Sequence, residues 1–587
     1  MALRRDFLSS AVAMASLPIV SRTGLSLYET AKPQSRVMQG RNVAATVHPL
    51  ASQAAAKAMS KGGNAIDAAV VASLCLGVVD GHNSGIGGGG LMMIRLANGT
   101  VMAIDGREKA PRAASKDMFL RNGVADPTLS QDGPLACGVP GLVAALHAAH
   151  SRYGKLPWSD LFEPAIRAAR DGVPLSRTCS IAIQGEQETI RRFPASAAVL
   201  LNKDGSPLRS GDTLVQRDLG DTLESIAQKG SSWFYRGPFA ESCVRHLQSQ
   251  GGILTLDDFA NYAALDRTPL WVTYRNLKVA GFPPPSSGGI HILQMLNILS
   301  RFDLKALYQE DSGWKFYHLL AEAMKLAFAD RAHYLGDSDF VEVPAFLTEK
   351  SYADRLAETI RMDRASKVAG PLGVGKSTGE DNKKHTTHLT TADEAGNWVA
   401  LTQTINTSWG NKMIVPGTGV VLNDEMDDFS SSPGVPNAFG LIGSAANAIA
   451  PGKRPLSSMS PTLVIDADDR PLMSCGAAGG PRIINATLQV LLRCIDLGES
   501  IGDAIAASRV HHQWSPDTLS CEASLGHVYA RNAEPGGVVF DRLRDLGHEV
   551  KIQSTIAIAQ GIQRGSDGKS LMAACDPRAD GMAASDV

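Results

Sequence analysis

Apolar positions in the first third of the chain fall into dense runs separated by glycine, asparagine and polar punctuation. An alanine-rich stretch from Ala51 reads as one helix, Gly62-Gly63-Asn64 breaks it, and A-I-D-A-A-V-V-A-S-L-C-L-G-V-V predicts a second helix with Asn64 as its N-cap. Apolar side chains surround the second helix on almost every face, so it is expected to be buried. After a glycine run from Gly81 to Gly90 come L-M-M-I-R-L, A-N-G-T and V-M-A-I-D, two strand-like runs about an Asn98-Gly99 turn. That hairpin places Asp105, Arg107 and Glu108 just past a strand end. No Lys-Ser/Thr and no helix follow the glycine run, so close backbone packing is its expected use, not phosphate binding.

Between about 140 and 360, loops alternate with helical stretches such as the Gly- and Pro-free run from Lys315, and Pro283-Pro284-Pro285-Ser286-Ser287-Gly288-Gly289 forms a rigid turn into an apolar helix. Residues 362 to 385 are rich in Gly, Lys, Asp and Ser, the composition of an exposed, mobile segment. The chain then turns β-like: T-T-H-L-T-T, a polar turn from Asp393 to Asn397, and W-V-A-L-T-Q-T-I-N. An antiparallel hairpin centred near Ala395 pairs residues whose numbers sum to about 790, which sets Thr386 opposite Thr404. By strand alternation, Asn406 is expected on the same face as Thr404.

Composition narrows the function. With 44% hydrophobic and 20% charged residues the chain is an ordinary globular one, and 57 basic against 59 acidic side chains give a net charge of -2, no electrostatic reason to bind nucleic acid. Its eight cysteines form no C-x-x-C pair and are read as structural. Arg4 and Arg5 precede Asp6-Phe7-Leu8 and a short apolar run from Ala11 to about Val20, the pattern of a removable twin-arginine export signal, so residues 1–35 are set aside from the fold and a periplasmic or secreted location is expected.

The threonine hairpin matters chemically because a threonine hydroxyl needs an adjacent base to act as a nucleophile. An N-terminal threonine carries its own, since an α-amino group titrates near ~7.7–8.0. Cleavage between His385 and Thr386 would create that amine, leaving a large fragment (36–385 after signal removal) and a small one (386–587) of 202 residues, 587 minus 385. Taken alone, a threonine-rich hairpin is also what β-propensity produces.

Further motifs decide between the two. G-G-N-A-I-D-A-A-V, D-G-R-E-K-A-P, P-P-P-S-S-G-G-I-H, T-T-H at 386 to 388, N-D-E-M-D-D-F at 423 to 429, P-L-S-S-M-S-P-T at 455 to 462 and A-A-G-G-P-R-I-I at 477 to 484 occur in that order. In these the chain resembles the gamma-glutamyltransferase family of N-terminal nucleophile hydrolases. The resemblance implies an α+β four-layer αββα sandwich built from both fragments, Thr386 as nucleophile oriented by Thr404, and an oxyanion hole from the N–H groups of Gly479 and Gly480. It implies that Arg107, with Ser457 and Ser458, takes the α-carboxylate of a gamma-glutamyl group, while Glu425 and Asp428, supported by Asn406, hold its α-ammonium. Glutathione and related compounds would donate the glutamyl group, and water, amino acids or peptides would accept it. No cofactor or metal is implied.

At Phe439, in the lid-like stretch after Phe429, the family often has tyrosine; phenylalanine covers the site without a hydrogen bond to Asn406, so hydrolysis is expected to gain on transfer. Two rival readings stand beside this one. A sister acylase acting on glutaryl-type amides would leave Glu425 and Asp428 without an ammonium to hold, and a catalytically silent binding homologue would remain uncleaved.

Overall fold

The helices begin where the sequence supplies caps. In the computed structural model, which describes residues 36–369, 385–431, 435–526 and 538–586, helix α1 (Pro49–Ser60) ends before the glycine pair and α2 (Ala65–Val79) starts on Asn64. Asn64 Oδ1 accepts from the amides of Ile66 and Asp67, and Asp67 answers through the Asn64 amide, a reciprocal cap of the kind worth about 1 kcal/mol. Every residue of α2 except Gly77 is buried.

Strands are numbered here within two large sheets: β1 (Arg36–Gly40), β2 (Val43–Thr46), β3 (Gly89–Arg95), β4 (Val101–Gly106), β5 (Leu265–Arg267), β6 (Leu270–Tyr274), β7 (Leu277–Gly281), β8 (Thr387–Ala392), β9 (Trp398–Thr404), β10 (Thr462–Ile465), β11 (Pro471–Ala478), β12 (Ile558–Arg564), β13 (Leu571–Cys575) and β14 (Met582–Ser585). One sheet runs β1-β13-β12-β11-β10-β7-β6 and the other β14-β2-β8-β9-β3-β4-β5. All neighbours within both sheets are antiparallel. The sheets face each other through β8 and β9 on one side and β11 and β12 on the other. Outside the second sheet lie α1, α2 and α3 (Leu142–Tyr153); outside the first lie α4 (Gly288–Leu299), α5 (Trp314–Tyr334) and α6 (Arg482–Ile495). This is the expected α+β four-layer sandwich, with its apolar material in two large clusters, one that includes residues of both sheets and the helices outside the first, the other under the helices outside the second. These residues all belong to one compact unit, Pro33–Val587.

The glycine run is used for close packing. A Cβ on Gly87 would fall 2.0 Å from the carbonyl oxygen of Val421, and one on Gly88 would fall 2.0 Å from that of Thr404. In the 98–99 turn only Gly99 takes a positive φ, 91°. All eight cysteines are free thiols, and seven are buried. The expected export signal, residues 1–35, and most of the polar segment before Thr386, residues 370–384, lie outside the described residues. Of that segment's described part, 362–369 is partly exposed, whereas His385 at its end is buried, because it already lies beside the lid residue Phe439, 6.4 Å between ring centroids.

Candidate active site

Helix α2 fixes the threonine hairpin at both ends. At its start the Ala65 amide donates to Asp393 Oδ2, in the turn of the hairpin, and Ala65 O accepts from Thr391 Oγ1. At its end Asp80 accepts from Thr387 Oγ1; burial pushes Asp80 up to about 7, with Thr387 and Asn83 pulling it back. The hairpin register is the expected one, with Thr387 opposite Gln403 and His388 opposite Thr402. Thr386 stands one residue before the ladder and its Oγ1 lies 3.0 Å from Thr404 Oγ1. Its φ is 87°, a conformation that a β-branched residue adopts only under strain.

Asn406 reaches the same cleft by another route than strand alternation. β9 ends at Thr404, and Asn406 turns out of it with φ 76°. Its amide donates to Thr404 Oγ1 (2.9 Å) and its Nδ2 to the Asp424 carbonyl (3.0 Å), so a turn tied to both the strand end and the Asp424 segment holds it. Asp424 secures the turn by accepting from the Thr407 amide and hydroxyl.

Arg107, Thr386, Thr404, Asn406, Glu425, Asp428, Phe439, Ser457, Ser458 and Gly480 line one narrow cleft. Arg107 is buried, and its guanidinium is engaged by Glu425 and Asp428, with Glu108 at 3.6 Å and the Pro455 carbonyl at 3.0 Å. Burial opposes the charge, but the three carboxylates hold the guanidinium protonated above its ordinary range. Burial pushes Glu108 up to about 7 and raises Glu425 and Asp428 as well, against the pull of Arg107. Ser457 and Ser458 follow on the segment that accepts backbone and hydroxyl hydrogen bonds from Ser287.

Gly479 and Gly480 link β11 to the start of α6, with φ of 132° and 59°. A Cβ on Gly480 would meet Phe439 Cδ1 at 2.7 Å, so the lid residue rests directly on this backbone. Among the described residues neither glycine N–H has a hydrogen-bond partner, and both lie at a helix N-terminus, the arrangement that favours an oxyanion.

The gamma-glutamyltranspeptidase family model matches residues 51–586. The chain belongs to that family. The glutathione hydrolase proenzyme of Escherichia coli (strain K12) is 41% identical over 545 residues, 92% of this chain and 91% of the relative. Among solved structures, the gamma-glutamyltranspeptidase of Helicobacter pylori is 40% identical with a TM-score of 0.54, covering 57% of this chain and 96% of its own, and the cephalosporin acylase of Bacillus halodurans is 25% identical with a TM-score of 0.81, covering 96% and 99%. This gamma-glutamyltranspeptidase-family enzyme therefore shares an acylase's fold at full length while its sequence stands much nearer the glutathione hydrolases.

Within the transpeptidase framework, two groups that hold the cleft received no role in the sequence analysis. Asp424 sits inside N-D-E-M-D-D-F and Glu108 directly follows Arg107, so motif adjacency was a usable signal for both. One cation-competent group occurs among the described residues, His318, Glu322 and His548. Its ligand atoms are already engaged: His318 Nδ1 lies 2.8 Å from His548 Nε2, and Lys325 Nζ donates to Glu322 Oε1 at 2.9 Å.

Proposed function

We propose that this enzyme cleaves itself between His385 and Thr386 and then transfers gamma-glutamyl groups from glutathione and related amides to water or to the amine of an amino acid or peptide. The observation that carries the reading is the 3.0 Å approach of the Thr386 and Thr404 hydroxyls in a cleft that also contains Arg107, Glu425 and Asp428. In the precursor, Thr386 Oγ attacks the His385 carbonyl, the acyl group moves from nitrogen to oxygen, and water hydrolyses the ester. The positive φ of Thr386 favours that step, because a strained residue of this kind stores about 1–3 kcal/mol that breaking the bond releases.

After cleavage the freed α-amine takes the Thr386 hydroxyl proton as Oγ attacks the γ-carbonyl carbon. The N–H groups of Gly479 and Gly480 receive the developing oxyanion, a contribution of about 3–4 kcal/mol for one such donor in other enzymes. The amine leaves with the proton, and water or an acceptor amine then attacks the glutamyl ester. The α-carboxylate of the glutamyl group lies against Arg107, Ser457 and Ser458, and its α-ammonium takes Glu425 and Asp428 from Arg107, with Asn406 in support. Substrate thus enters by exchanging partners within an existing ion cluster. Export by the Arg4-Arg5 signal to the periplasm or beyond is part of this proposal; among the described residues no helix is long and apolar enough to cross a membrane.

Intact mass and N-terminal sequencing test the proposal directly: wild type should give two chains, the smaller beginning Thr-Thr-His, and Thr386→Ala a single inactive chain. A stable single chain in the wild type would overturn it. The structural likeness to cephalosporin acylase supports a second reading, glutaryl-type amide hydrolysis. Glu425→Ala separates the two, since it should depress gamma-glutamyl turnover far more than glutaryl turnover only where an α-ammonium is recognised.

A further inference from the structure

Carboxyl groups outnumber guanidinium groups around Arg107. One guanidinium faces three carboxylates, Glu108, Glu425 and Asp428, and a substrate α-carboxylate would bring a fourth. A second buried cation acts on this cluster, Arg331. It is 5% exposed, it has no ion-pair partner among the described residues, and it lies close enough to feel both Asp428 and Arg107. Burial pulls its guanidinium down to about 10, with Asp428 pushing the other way, so it remains charged at neutral pH. A buried cation left without a paired carboxylate is costly, and this one is held by a neutral partner instead.

That partner leads to the site. Arg331 Nε donates to Ser287 Oγ at 3.2 Å; Ser287 Oγ and the Ser287 amide both donate to the Ser457 carbonyl at 2.8 Å. The Ser457 amide in turn donates to the Pro285 carbonyl at 2.8 Å, and Ser286 Oγ donates to the Met459 carbonyl at 2.7 Å. The turn Pro283–Gly289 is thereby a template for the backbone of Ser457–Met459, and Arg331 braces it from behind. The packing is too close for alternatives: a Cβ on Gly288 would meet Ser460 Oγ at 2.0 Å.

We infer that Arg331 is a positioning residue of the α-carboxylate subsite, setting Ser457 and Ser458 through Ser287 and supplying the second positive charge that lets a carboxylate settle beside the Arg107 cluster. This rests on the gamma-glutamyl reading above. The consequence is selective: Arg331 acts on donors that carry an α-carboxylate and not on the acyl chemistry at Thr386.

The experiment compares gamma-glutamyl-p-nitroanilide with its analogue lacking the α-carboxylate, 4-aminobutyryl-p-nitroanilide, in wild type, Arg331→Gln, Arg331→Lys and Ser287→Ala, each first checked for two-chain processing. For Arg331→Gln the KM of the gamma-glutamyl donor should rise about tenfold, the scale of one lost charge-assisted contact, with kcat little changed and kcat/KM for the analogue nearly constant. Arg331→Lys should recover most of the loss, and Ser287→Ala should show a smaller rise on the same donor alone. Equal losses on both donors, or wild-type KM in processed Arg331→Gln, would overturn the inference. Should Arg331→Gln fail to process, Ser287→Ala decides: a KM rise confined to the gamma-glutamyl donor supports it, and an unchanged KM overturns it. A wild type without gamma-glutamyl activity would instead sink the underlying reading.

Discussion

Glu108 shows how a single buried carboxylate can govern the cleft. It is fully buried 3.6 Å from Arg107, and burial pushes it up to about 7, so it is largely neutral below that pH and ionised above it. Ionisation adds a negative charge beside Arg107, the cation that the proposed function assigns to the substrate carboxylate. KM for a gamma-glutamyl donor should therefore climb as pH rises through about 7, and in Glu108→Gln that climb should vanish. The pH dependence of kcat, assigned in the proposed mechanism to the Thr386 α-amine, should be the same in both; a KM profile left intact in the variant would refute the assignment. At Phe439 the ring covers the Gly480 backbone, and Asn406 donates instead to the Asp424 carbonyl. Phe439→Tyr offers Asn406 a hydroxyl and should shift product from glutamate toward transfer product at fixed acceptor concentration. An unchanged product ratio would count against a role for this position.

At the scale of elements, the hairpin that bears Thr386 is held by its neighbours more than by its own pairing. Helix α2 ties the Asp393 turn at one end and Thr387 at the other, while Gly88 lets the chain entering β3 lie against the Thr404 carbonyl. A methyl group at residue 88 would stand 2.0 Å from that oxygen and 2.8 Å from Ile405 Cγ2, and backbone cannot yield there cheaply. Overpacking of this kind costs about 1–3 kcal/mol. Gly88→Ala should displace Thr404 from Thr386 and slow self-cleavage by about tenfold or more, read as persisting single-chain protein on a denaturing gel over time. Normal processing would show that the Thr404 position tolerates the shift.

For the molecule as a whole, both sheets interleave strands from either side of residue 385. The first takes β1, β6 and β7 from before it and β10 to β13 from after it; the second takes β2 to β5 from before and β8, β9 and β14 from after. Separating the fragments would expose the edges and faces of seven-stranded sheets at once. The cleaved enzyme should therefore remain one particle on size exclusion until denaturant unfolds it, and the two fragments expressed apart should be insoluble. Recovery of either as a folded monomer would contradict the shared-sheet architecture. Local signals in the sequence were enough for the Asn64 cap, the buried α2 and the Thr386–Thr404 register, because a cap, an apolar surface and a hairpin each depend on residues close together in the chain. The ordered motifs likewise named the residues that line the cleft. Tertiary structure alone decided how those residues stand to one another. Arg107 is locked to Glu425 and Asp428 across more than 300 positions, the Asn406 turn is held by Asp424 after the strand has ended, and Arg331 is linked to Ser457 only through a serine on a distant turn. Such partners are chosen by the packing of whole sheets and helices, and pattern along the chain carries no record of which distant segments that packing brings together.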